Sequence, residues 1–97
     1  MKKLNIRVEN MSSSRGNDVP NQFIIYTDEG RYFQSYSTII AFRPYNIMSG
    51  NKKIQLDRDS WDYSRTTGKY RNQFLGEDSK ETQRKIKNGT YELVNLN

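Results

Sequence analysis

The side chains able to do chemistry crowd into one stretch of this sequence. From Asp57 to Arg71 it reads DRDSWDYSRTTGKYR, with Asp57, Asp59 and Asp62 close together and Ser64, Thr66 and Thr67 interleaved with Arg65, Lys69 and Arg71. Such residues serve three chemistries. A nucleotide phosphate loop needs glycine five residues before the Gly-Lys pair and Ser or Thr directly after it. Tyr63 and Tyr70 hold those places, so TTGK is not such a loop. A hard cation takes carboxylate oxygens, but a calcium loop needs glycine at its sixth position and glutamate at its twelfth. Counted from Asp57, those positions are Asp62 and Gly68, which leaves turn, capping and ion-pair roles for the three aspartates, with no metal expected.

The third chemistry is anion binding at a helix N-terminus, where free N–H groups and the helix dipole favour negative charge. Arg65 and Lys69 are four apart and share a helical face flanked by Tyr70 and Arg71. Ser64, Arg65, Thr66, Thr67, Lys69 and Arg71 are therefore the candidate ligand site. The competing role is structural: the hydroxyls cap the helix, Tyr63, Tyr70 and Phe74 dock it, and the cations are solvated. A second constellation is nucleic-acid contact. Arg31, Tyr32 and Tyr36 alternate along a strand as a stacking platform would, and Lys80, Arg84 and Lys87 share one face of a later helix.

Totals narrow the field. The 97 residues carry a net charge of +5, a pI near 9.6 and a mean hydropathy of −1.02, with seven tyrosines and four phenylalanines. That is one small domain, 1–97, whose thin core must lean on tyrosine. Its charge favours anionic partners, nucleic acid or nucleotide, and equally serves solubility. Cysteine and histidine are both absent. Disulfides, thiolate nucleophiles, structural zinc and the commonest general base go with them, so neither an enzyme nor a cofactor is expected. MKKLNIRVEN lacks the apolar core of a signal peptide and no run approaches a membrane span, so a cytoplasmic protein without a membrane partner is expected.

Several elements must position these residues. Leu4, Ile6 and Val8 alternate with polar residues as the buried side of a strand. Residues 10–21 read as a flexible loop. Phe23–Thr27 and Arg31–Tyr36 form a hairpin around Asp28-Glu29-Gly30, and STIIAFR follows as a central strand ended by Pro44. Ser49-Gly50-Asn51 is a turn, and KKIQLD buries Ile54 and Leu56. The period then becomes helical through Tyr63, Thr67, Tyr70 and Phe74, with Ser64 or Thr66 as cap and Gly76 past the end. Asp78 and Glu81 open a short polar helix anchored by Ile86 and Thr82, and TYELVNL is a last strand. The fold class is α+β: an antiparallel sheet of about five or six strands with two short helices near the C-terminus on one face.

Two segments, RYFQSYSTIIAFR and WDYSRTTGKYRNQFLG, together resemble a family of small, functionally unassigned proteins of tailed bacteriophages. The matching residues are Phe33, Ser35, Tyr36, Thr38, Ile40 and Ala41, then Tyr63, Ser64, Thr66, Thr67, Lys69 and Tyr70; about residues 22–76 are covered. The resemblance implies a phage protein in the host cytoplasm and singles out Ser64, Thr66 and Thr67. The expected function is non-enzymatic binding in the infected cell that interferes with a host or defence factor. The alternatives are a nucleic-acid-binding module and sequestration of a small nucleotide by the Ser64–Lys69 cluster. A homodimer built on the second helix and terminal strand stays open.

Overall fold

The computed structural model describes residues 5–47 and 52–97; Leu4 and the Ser49-Gly50-Asn51 turn lie outside them. The chain runs β1 (Arg7–Ser12), β2 (Asp18–Tyr26), β3 (Gly30–Ser35), β4 (Thr38–Pro44), β5 (Ile54–Asp57), α1 (Arg65–Leu75), α2 (Ser79–Lys87) and β6 (Tyr91–Val94). All six strands form one sheet in chain order. The class is α+β, with two helices near the C-terminus.

Neighbours β1 to β5 pair antiparallel, as their local connections dictate, but β5 and β6 are parallel. The expected all-antiparallel sheet is thus mixed. Parallel neighbours need a crossover connection, and here α1 and α2 supply it. The expected loop over 10–21 shortens to the five residues between β1 and β2, because polar residues at both its ends join strands. Asn21 takes φ 66°, which carries β2 past a register irregularity opposite Asn10–Ser12.

The β2–β3 turn closes on Thr27, whose hydroxyl donates to the Gly30 carbonyl at 2.9 Å and accepts the Gly30 N–H at 3.2 Å. Gly30 pairs with Pro44, and a methyl group there would overlap the Arg43 carbonyl oxygen and lie 2.8 Å from Pro44 Cα. Only glycine fits this approach. The β3–β4 turn consists of Tyr36 and Ser37, with Tyr36 at φ 57°.

Strand alternation divides the sheet into two faces. One row, Ile24, Phe33, Ala41 and Leu56, looks toward the helices, and Phe33 lies 5.9 Å from Phe74 of α1. Phe33, Ala41 and Leu56 are fully buried, and Tyr70, Leu75 and Tyr91 complete this core. Ile54 and Leu56 are buried as their alternation implies. The adjacent row, Val8, Ile25, Tyr32, Phe42, Gln55 and Glu92, occupies the opposite face. Ile6 and Val8 are therefore not core: they are 58% and 56% exposed, while Met11 is the buried residue of β1. Period-2 alternation identifies a face but not which face the helices cover.

Candidate functional site

Ser64 precedes α1 in extended conformation, and its Oγ accepts the Thr67 N–H at 3.1 Å and donates to Thr67 Oγ1 at 3.0 Å. The Thr67 hydroxyl is buried 3.0 Å from that of Ser35, which fastens β3 to the helix start. Gly76 ends α1 in left-handed conformation, φ 72°, with its N–H on the Asn72 carbonyl. Two of the three hydroxyls expected to meet a ligand are thus engaged as cap and strut. Thr66, Arg65 and Lys69 are exposed, and Lys69 Nζ lies 5.4 Å from the Tyr70 ring centre. Tyr63, expected to dock the helix, is 50% exposed, since it precedes the cap and Trp61 packs against the core in its place.

Arg71 departs furthest from expectation. It is fully buried. Its Nη1 donates to the Trp61 carbonyl at 2.7 Å and to Asp62 Oδ1 at 3.0 Å, and its Nη2 donates to Asn72 Oδ1 and Ser79 Oγ, both at 2.9 Å. The guanidinium also lies 5.1 Å from the Trp61 ring centre. A planar fork with several donors can satisfy acceptors from the 57–64 loop, α1 and α2 at once, which an ammonium cannot. Arg71 therefore joins three segments, and its Nη1 and Nη2 donors are taken up within the protein. Of the candidate anion site, Ser64, Arg65 and Lys69 line an open cleft of about 770 Å³ together with Asp62, Asn72 and Ser79, and Thr66 is exposed beside it.

The nucleic-acid constellation is not brought together. Arg31 falls in register with Tyr26 and Arg43, whereas Tyr32 points to the opposite face and pairs with Phe42 at 4.5 Å between ring centroids. Tyr36 is an exposed turn residue. On α2, Lys80 and Lys87 are exposed, and Arg84 is ion-paired with Glu81. Asp78 caps that helix by accepting the Glu81 N–H at 2.9 Å.

The aspartates of DRDSWD also separate. Asp57 is buried on β5 and accepts the Leu96 N–H at 2.9 Å, while Asp62 pairs with Arg71. Burial opposes ionisation of Asp57, but hydrogen bonds from Leu96, Ser60, Asn97 and Asp59 outweigh it and hold the carboxyl below its usual range. A knot that the sequence did not reveal ties α2 to β6. Glu77 Oε1 accepts from Lys85 Nζ at 2.8 Å and from Tyr91 Oη at 2.6 Å, and Glu77 Oε2 accepts from the Thr82 hydroxyl at 2.6 Å. Burial raises the Glu77 pKa, but these donors and the Lys85 charge together bring it below the ordinary value. Burial and the bond to Glu77 push the Tyr91 phenol up to about 12.

The sheet face turned away from the helices is a second surface able to make contacts. Val8, Ile25, Tyr32 and Phe42 run across four strands, with Ile6 beside them. Glu29, Glu92, Lys52 and Lys53 edge the aromatic pair around a recess of about 450 Å³, two charges of each sign. The sequence singles out Tyr32 only as a candidate nucleic-acid contact, and it does not single out Phe42 or Ile25. Their partner strands were legible, but the register that aligns them was not.

Among the described residues, no helix is long and apolar enough to cross a membrane. The fold and its uncovered face define a small α+β protein with a six-stranded mixed sheet, helices against one side and an apolar row on the other. The chain belongs to DUF8033, a family of unknown function whose pattern matches residues 6–89. No curated protein and no solved structure matches it.

Proposed function

We infer that this is a non-enzymatic binding protein that engages a host protein through the open face of its sheet. The observation carrying this reading is the row Val8, Ile25, Tyr32 and Phe42, which faces away from both helices. Contiguous apolar surface on a small soluble domain marks contact sites, and aromatic residues anchor them. The balanced rim of Glu29, Glu92, Lys52 and Lys53 favours a protein surface over a phosphate backbone, which needs net positive charge where it lies. The resemblance of residues 22–76 to tailed-phage proteins supports the infected bacterial cytoplasm as the setting and interference with a host or defence factor as the purpose.

The test is affinity capture from bacterial lysate, with and without nuclease, comparing the native chain with Val8→Glu/Tyr32→Glu after both have been shown to melt cooperatively. The reading requires a protein retained by the native chain, insensitive to nuclease and lost with the double variant. Equal capture by both chains, or capture abolished by nuclease, contradicts it.

A further inference from the structure

Across β1 to β4 the register sets Arg7, Tyr26, Arg31 and Arg43 in one row on the helix-side face. Arg7 is offset by Glu9 at 3.4 Å, and its guanidinium lies 4.5 Å from the Tyr26 ring centre. Arg31 and Arg43 stand directly opposite each other, and like charges so placed destabilise a strand pair. Among the described residues neither makes an ion pair. Next to Arg43 opens a cavity of about 370 Å³, bounded by Lys52, Lys53 and Lys85 and floored by Ile47, Ile54 and Leu75. Its one acid, Glu77, is committed to Lys85, Tyr91 and Thr82. Among the described residues Arg43, Lys52 and Lys53 make no ion pair, although Lys52 and Lys53 also share the open-face recess with Glu29 and Glu92.

We propose that this cavity binds a small phosphate monoester carrying a flat apolar group, a ligand of nucleoside monophosphate size. Arg43, Lys52 and Lys53 take the phosphate, and the ring lies against Ile54 and Leu75. Charge-assisted contacts to phosphate with an apolar seat for the remainder are the usual composition of such a site. A long polyanion fits less well, because Arg7, at the far end of the row, is paired with Glu9 and lies outside the recess that Arg43, Lys52 and Lys53 line. This site is separate from the Ser64–Lys69 cluster, and it shares Lys52 and Lys53 with the rim of the open-face recess while its apolar seat and Arg43 lie on the helix side.

The test is calorimetric titration of the full chain with AMP, with adenosine, inorganic phosphate and an oligothymidylate as separate titrants. AMP should bind saturably at one site, with adenosine and inorganic phosphate each weaker by about tenfold or more, since each lacks half of the contacts. Lys52→Glu/Lys53→Glu should weaken AMP by at least about tenfold at an unchanged melting temperature, and Arg43→Gln should do so independently. Absence of saturable AMP binding, inorganic phosphate binding as tightly as AMP, indifference to both variants, or tighter binding of the oligonucleotide would each overturn the proposal.

Discussion

The start of α1 and the open face of the sheet treat their side chains in opposite ways. Around Ser64, Thr67 and Arg71, polar groups crowded in the sequence are committed to one another: hydroxyl to hydroxyl, cap to N–H, guanidinium to four acceptors. On the open face, Val8, Tyr32 and Phe42 come from separate strands, align only through pairing, and leave apolar surface toward solvent. Density of chemical side chains along a sequence therefore marks, in this protein, a structural joint. Surface available for binding is assembled from residues far apart in the chain.

The largest effect should come from the joint. Arg71→Ala removes a fully buried side chain and should cost about 4 kcal/mol in denaturant unfolding. Arg71→Lys keeps the charge but not the fork and should cost about 2 kcal/mol. A loss under about 0.5 kcal/mol for either, the size of an ordinary surface change, would return Arg71 to the list of ligand-binding cations. Thr67→Val removes the buried hydroxyl that Ser35 and Ser64 bond, while the Ser64 cap on the Thr67 N–H stays, and should cost about 2 kcal/mol.

The α2–β6 knot provides a pH signature with two limbs. Because Glu77 is held below its ordinary pKa of 4.5 in the folded chain, its contribution is present above that value and is lost as pH falls through the lower, folded one. Tyr91 is raised from 10.0 to about 12, so its contribution is present below pH 10 and is lost as pH rises to about 12. Melting curves across pH should show the acid limb flattened in Glu77→Gln and the alkaline limb flattened in Tyr91→Phe. Unchanged limbs would show that the knot is not formed.

Smaller effects should come from single side chains outside both regions. Gln22 is fully buried on β2, and neither of its amide atoms has a hydrogen-bond partner among the described residues. Gln22→Met, which keeps the volume, should raise stability by about 1 kcal/mol. Any loss would reveal a partner for the amide. The smallest effect belongs to the exposed cations. Lys52→Glu/Lys53→Glu should leave unfolding within about 0.5 kcal/mol, the usual range for surface substitutions.

What was legible in the sequence was local. Ser64, Gly76 and Asp78 fall at cap positions because a cap is decided within four residues, and the structure uses all three. The hairpin at Asp28–Gly30 and the buried pair Ile54 and Leu56 follow from turn chemistry and alternation. What was not legible depends on distant partners. Tyr36-Ser37 carries no turn residue such as glycine or asparagine, yet it reverses the chain with Tyr36 at φ 57°. Arg71 looks like any helical cation until Trp61, Asp62 and Ser79 close around it. Ile6 and Val8 read as core because alternation cannot say which side the helices will occupy, and the parallel return of β6 is fixed only by the crossover that precedes it.

The most direct measurement compares two charge-altering double variants, Arg65→Glu/Lys69→Glu at the cleft beside α1 and Val8→Glu/Tyr32→Glu on the open sheet face, in the same host-lysate capture. The account predicts that the first retains the captured protein at native levels and the second loses it, with both chains folded. Loss with the first and retention with the second would contradict it and move the binding surface back to the start of α1.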